Sequence, residues 1–301
     1  MANASTFRRY VQYPLEAAAA AVIYGFFRLL PLDAASATGG WLFRVVGPRL
    51  GLSRIAYHNL ERAFPEKTPA ELRAIVVGMW DNLGRVLGEY AHIEQFDFVN
   101  GEKIRIEGVE NIALLRDDGL PGILFTAHLA NWELAHFAMS YHGLPLAVVY
   151  RAANNPLVEW LIRRGRGSGS GELVPKGTQG ARRLMETLRK GGHLGMLLDQ
   201  KMNDGIPVPF FGRDAMTATA VAQFVYRYRC PLVPVRVERL EGTRFRITVM
   251  PPMELPDTGD HHADVFETLR RINELYESWI RERPEQWLWV HRRWPDYTRP
   301  R

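Results

Sequence analysis

The sequence predicts an α/β fold, a largely parallel mixed sheet flanked by helices, with an N-terminal membrane-associated helix ahead of it. Three observations carry that prediction. From about residue 100 onward, short apolar runs alternate with segments of helical period, the pattern of βα units around a parallel sheet. Long segments with apolar residues three and four apart bracket that region on both sides. No internal repeat or low-complexity linker divides the chain, so one domain over 51–301 follows a helical segment over 1–50.

At the N-terminus Arg8 and Arg9, the apolar stretch from Ala17 to Leu32 and the small residues AASA outline a cleavable signal peptide. Glu16 and Arg28 argue against that reading, and the stretch falls short of the roughly 20 apolar residues that span a bilayer. The expectation is a retained helix lying in, or shallowly crossing, a membrane surface, with Tyr13, Tyr24, Phe26, Phe27 and Trp41 as interfacial anchors. A core helix of a soluble protein is the alternative. Next, Leu72, Ile75, Val76, Met79, Trp80, Leu83, Val86, Leu87 and Tyr90 mark a long amphipathic helix. Thr68 is its expected N-cap and Pro69 its first residue.

The strand candidates are GILFTA (122–127), LAVVY (146–150), LGMLL (194–198), PLVPVRV (231–237) and FRITVM (245–250). Helices are expected between them at 131–142, 155–164, 178–190 and 217–228. A last helix carries Phe266, Leu269, Ile272, Leu275, Tyr276, Trp279 and Ile280 on one side and stops before Pro284.

With 47% hydrophobic and 11% aromatic residues the chain can bury a substantial core, which excludes a disordered protein. The formal charge of +5 is modest for 38 Lys+Arg against 33 Asp+Glu. Arginines gathered at 163–166, 281–283 and 292–301 can meet phosphate on lipid, nucleic acid or an acidic carrier protein, or simply form a solvated face. Cys230 is the single cysteine, so no intrachain disulfide forms, and it is expected in the core. The spacing of Cys and His fits no zinc site, and no metal and no cofactor are assigned.

The segment GILFTAHLANWELAHF is the most informative. A histidine at the C-terminal end of a parallel strand stands where α/β sheets open their ligand crevices, which points to His128. Glu133 follows by five residues, so on one continuous helix the two side chains would diverge by about 140°. A turn into a new helix near Asn131, a candidate N-cap, would bring them together. A carboxylate on one imidazole nitrogen fixes the tautomer and frees the other nitrogen as a base. No serine or cysteine nucleophile lies nearby in a recognisable elbow, so the natural chemistry is attack by an activated substrate hydroxyl.

HLANWE resembles the His-x4-Asp/Glu signature of the glycerolipid and lysophospholipid acyltransferase superfamily. NLERAFPE (59–66), YRAANNPLVEWLIRRGR (150–166), LLDQKMNDGIPVPFFG (197–212) and PEQWLWVHRRW (284–294) narrow the resemblance to the late lauroyl/myristoyl-type acyltransferases of lipid A biosynthesis, the HtrB family. The resemblance implies an acyltransferase domain that moves a fatty acyl group from acyl-carrier-protein to the hydroxyl of a 3-hydroxyacyl chain on a Kdo-lipid A precursor. It implies an inner (cytoplasmic) membrane location in a Gram-negative bacterium, with the active site facing the cytoplasm, and no nucleic-acid partner. Carried over by position, the catalytic residues are His128 as general base, Glu133 as its orienter, Arg166 and Asp199. Arg166 would neutralise a lipid phosphate or stabilise the thioester oxyanion, and Asp199 would hold Arg166 or Lys201 or shape the site. In place of a second acidic residue after Asp199, often present in such relatives, this chain has Gln200 and Lys201, which argues against metal binding at that loop.

Asn131, Arg151, Arg164, Lys201 and Thr219 are the expected polar substrate-binding residues. Phe210 and Phe211, read as exposed-looking aromatics in a proline-bearing loop, are expected to line an apolar acyl slot or to pack in the core. Two rival readings stand beside this one. A superfamily acyltransferase acting on a lysophospholipid, an aminolipid or a glycosylated phosphatidylinositol would keep His128 and Glu133. A noncatalytic lipid- or nucleic-acid-binding protein would use the arginines and aromatics of WLWVHRRWPDY, although no RNA-binding motif accompanies them.

Overall fold

A computed structural model of the chain describes residues 7–166 and 171–294, without the side chains of residues 165 and 166. Helices α1 (Tyr13–Leu29), α2 (Leu32–Val46), α3 (Ser53–Ala63) and α4 (Pro69–Tyr90) come first. Thr68 closes a capping box with Glu71 at the start of α4, and Pro69 follows it as the sequence predicts. Helices α2 and α4 pack backbone to backbone. A Cβ on Gly39 or on Gly84 would overlap the other's carbonyl, so only glycine permits the approach. Phe27 turns into the core instead of anchoring outward, while Phe26 and Trp41 remain exposed. No helix among the described residues is long and apolar enough to cross a membrane.

The sheet then forms from β1 (Ile104–Glu107), β2 (Gly122–Thr126), β3 (Leu146–Tyr150), β4 (Glu172–Pro175), β5 (His193–Leu197), β8 (Leu232–Glu241) and β9 (Arg244–Val249). Its order is β1-β9-β8-β2-β5-β3-β4, and every neighbouring pair is parallel except β8 with β9. The connecting helices are α5 (Val109–Asp117), α6 (Glu133–Tyr141), α7 (Pro156–Arg166), α8 (Thr178–Arg189) and α9 (Ala220–Tyr228), and α10 (His261–Glu282) closes the fold. Parallel strands buried on both faces read as continuous apolar runs, which is why the central strands were legible. One face packs on α6 through Leu124, Leu146 and Val235. The other packs on α8, α9 and α10 through Ile123, Phe125 and Leu194.

Residues 206–217 differ from expectation. They form a two-stranded hairpin, β6 (Ile206–Phe210) with β7 (Arg213–Thr217), and the helix expected from 217 begins at Ala220. Pro207 and Pro209 are tolerated because the ribbon has no second neighbour needing their missing N–H. Phe210 and Phe211 are buried, not exposed. They lie under Trp287, Trp289 and Trp294, with Phe–Trp ring centroids 5.8 to 6.5 Å apart. Cys230 is buried as expected, and burial pushes its thiol up to about 11.

The sheet forks at its C-terminal edge. The ladder between β3 and β5 ends at Val148 and Gly195. On either side of the fork, β2 stays paired with β5 as far as Thr126 and Leu197, and β3 with β4 as far as Tyr150 and Pro175.

Candidate active site

His128 lies two residues beyond β2, at the end of the sheet where parallel strands leave their crevice. The chain reverses there through Ala130, at φ +48°, a left-handed conformation that costs a non-glycine residue energy unless its surroundings impose it. They do. The Ala130 amide donates to the Gln286 carbonyl at 2.9 Å, and the Leu288 amide donates to the His128 carbonyl at 3.1 Å. Asn82 of α4 donates to the Ala130 carbonyl at 3.0 Å. The C-terminal segment and α4 thus clamp the turn from two sides.

His128 Nδ1 donates to Asp199 Oδ1 at 2.8 Å. The other carboxylate oxygen accepts the His128 amide at 3.0 Å and the Trp287 indole N–H at 2.7 Å. Asp199 is fully buried just beyond β5, the strand paired with β2, which is how residues far apart in sequence meet. Burial alone would push its carboxyl up. The attraction and hydrogen bonds of His128 outweigh burial and hold it well below the usual carboxylate range. A carboxylate can only accept, so the proton of His128 sits on Nδ1 and Nε2 is left as a base. The Gln200 amide nitrogen faces that Nε2 at 3.3 Å.

This geometry corrects the expected role of Glu133 as orienter of the imidazole: Asp199 holds Nδ1 and Gln200 faces Nε2. Glu133 starts α6 and lines the same cavity as His128. Asp199 holds His128 rather than Lys201. Arg166 ends α7, and its side chain lies outside the described residues.

A cavity of about 460 Å³ opens at His128 and reaches into the fork of the sheet. Its walls are mainly apolar, and they come from both faces of the sheet: Leu124, Val148 and Met139 on the α6 side, and Met196, Leu184 and Phe224 on the other. Arg151 and Lys201 line it, together with Lys176, which sequence reasoning missed. The Lys176 amide donates to the Tyr150 carbonyl at 3.0 Å, so Lys176 stands beside Arg151 at the fork.

Five expected binding residues are not among those that line it. Asn131 is buried and donates to Glu89 at 2.9 Å, and it does not cap α6, whose N-cap position is Trp132. Arg164 stacks over Trp160 at 5.5 Å. Phe210 and Phe211 belong to the aromatic cluster under the C-terminal tryptophans. Thr219 occupies the N-cap position of α9 without a side-chain cap bond, between Ala218 and Ala220, which do line the cavity. Trp287 was visible only as part of a tryptophan-rich block, and nothing in its spacing announced a bond to Asp199. Among the described residues no group of three or more His, Cys, Asp or Glu converges to hold a metal.

A base oriented by a buried carboxylate, at the head of a mainly apolar cavity with no serine or cysteine among the described residues that line it, is equipment for joining a substrate nucleophile to an apolar acyl chain. The sequence profile of the bacterial lipid A biosynthesis acyltransferases matches residues 2–296, and the chain belongs to that family. It is 27% identical to the lipid A biosynthesis palmitoleoyltransferase of Escherichia coli K12, over 82% of this chain and 79% of that one. It is 28% identical to the lauroyltransferase of the same organism, over 82% and 80%. To the myristoyltransferase it is 27% identical, over 80% and 75%.

Proposed function

We propose that this lipid A biosynthesis acyltransferase moves a fatty acyl group from an acyl-carrier-protein thioester to the hydroxyl of a 3-hydroxyacyl chain on a Kdo-lipid A precursor. The observation that carries the reading is the His128–Asp199 pair at the head of an apolar cavity. In this mechanism the acceptor hydroxyl takes the place of the Gln200 amide at His128 Nε2 and gives up its proton there. Its oxygen attacks the thioester carbonyl, and the imidazolium is stabilised by Asp199. Collapse of the tetrahedral intermediate breaks the C–S bond, and the leaving thiolate takes the proton back from Nε2. General base catalysis of this kind contributes about 10² to 10⁴ in rate.

Arg151, Lys176 and Lys201 supply positive charge at the mouth, suited to phosphate on the donor's pantetheine arm or on the lipid. Arg166 and Glu133 are proposed to act there too, Arg166 on phosphate or oxyanion. The exposed apolar side chains Leu15, Val22, Phe26, Leu29 and Trp41 of α1 and α2 support a seat on a membrane surface. An inner-membrane location with the site facing the cytoplasm follows from donor and acceptor. The test is mass spectrometry of products after incubating the protein with mixed acyl-carrier-protein thioesters and tetra-acylated Kdo-lipid A precursor. One added acyl mass is expected. No addition here, with acylation of a lysophospholipid instead, would overturn the acceptor assignment.

A further inference from the structure

Gly195 stands inside β5, in the middle of a parallel sheet, where glycine weakens a strand and calls for a reason. The backbone does not supply one. Its φ is not among the positive ones, and a Cβ built on it would meet only side chains: Leu146 Cδ1 at 3.2 Å and Val148 Cγ2 at 3.3 Å. Glycines that the chain packing requires look different. A Cβ on Gly171 would strike the Leu146 carbonyl, and one on Gly108 the Val249 carbonyl. At Gly195 the neighbours that would have to give way are flexible side chains, and Gly195, Leu146 and Val148 all line the cavity, so a side chain here displaces them into it.

Register fixes where that space lies. Gly195 pairs with Leu124 on one side and Val148 on the other, so its Cβ position faces α6, towards the limb bounded by Leu124, Ala135, Met139, Leu146 and Val148. Every one of those five side chains is apolar. Gly195 is also the last β5 residue paired with β3, at the base of the fork. His128 lies four residues past Leu124, about 13 Å along the strand direction, the reach of roughly ten methylenes.

We propose that Gly195 is a specificity-determining residue: it floors a limb that accepts one fatty-acyl chain and sets the longest chain the limb holds. The proposal rests on the acyl-transfer reading for which chain that is, the donor's or the acceptor's. Its binding test does not depend on that reading. A side chain at 195 shortens the limb from its closed end, so the penalty grows with chain length rather than falling on all chains alike.

The experiment measures competition of saturated free fatty acids, decanoate through hexadecanoate, against a fluorescent fatty acid on the wild type, Gly195→Ala and Gly195→Val, with melting curves run alongside. Long chains are expected to lose about fourfold in affinity per methylene excluded, while decanoate changes little. Gly195→Ala gives the same trend in smaller degree and serves if the valine variant does not fold. Equal loss at every length, or an unchanged profile, overturns the proposal. Transfer assays with thioesters and with acceptors of graded chain length then assign the limb: a shifted donor profile names the donor's chain, a shifted acceptor profile the acceptor's. A length-dependent binding loss without transfer by the wild type would leave the limb standing and remove the transferase reading alone.

Discussion

Asp199 shows how much one buried carboxylate can organise. Its two oxygens take the imidazole of His128, the backbone N–H of the same residue and the indole of Trp287, so base, turn and C-terminal segment share one anchor. His291 stands against Trp287 with ring centroids 5.1 Å apart, and burial pushes it down to about 3. It therefore stays neutral beside the site, with a consequence for stability. The unfolded chain protonates this histidine near pH 6.5 and the folded chain does not, so acid favours unfolding. Stability from this group is fully present above about pH 6.5 and declines as pH falls towards 3, by at most about 1.4 kcal/mol per pH unit. Urea unfolding at stepped pH is expected to show that slope, and His291→Phe to flatten it. An unchanged slope in the variant would remove His291 from the account.

Among the elements, α4 links the N-terminal helices to the turn after His128. Glu89, fully buried, accepts from Ser36 at 2.7 Å, from Asn131 at 2.9 Å and from Arg239 at 3.0 Å, and Arg239 also lies 4.5 Å over the Phe245 ring. Glu89→Ala leaves a buried guanidinium without its counter-charge, and the expected cost is about 3–5 kcal/mol, read from a lowered midpoint of chemical unfolding. A change under about 1 kcal/mol would mean that the pair is solvated after all.

Legibility in the sequence divides at this same scale. The central strands and the α4 cap could be read because burial on both faces and capping chemistry are local. His128 could be read because the βα pattern puts it at the C-terminal edge, and the family resemblance pointed to Asp199. Their bond could not: Glu133 is the carboxylate nearest in sequence, whereas β2–β5 pairing makes Asp199 the nearest in space. The β6–β7 hairpin was hidden by Pro207 and Pro209, which read as loop.

For the whole molecule, the apolar side chains left exposed on α1 and α2 have no partner element among the described residues of the fold. If they seat the protein on lipid, Leu29→Asp and Trp41→Asp together should lower sedimentation with anionic vesicles at least tenfold, a loss of about 1.4 kcal/mol or more. The melting temperature should change little, because both positions are exposed. Equal sedimentation would place the membrane contact elsewhere.

The central claim is that His128, oriented by Asp199, is the base for acyl transfer. The most direct test is the single-turnover rate of acyl transfer in the wild type, His128→Ala and Asp199→Asn, with folding verified by circular dichroism. Both variants are expected to remain folded and to lose about 10² to 10⁴ in rate. Near-normal turnover in a folded His128→Ala protein would contradict the account.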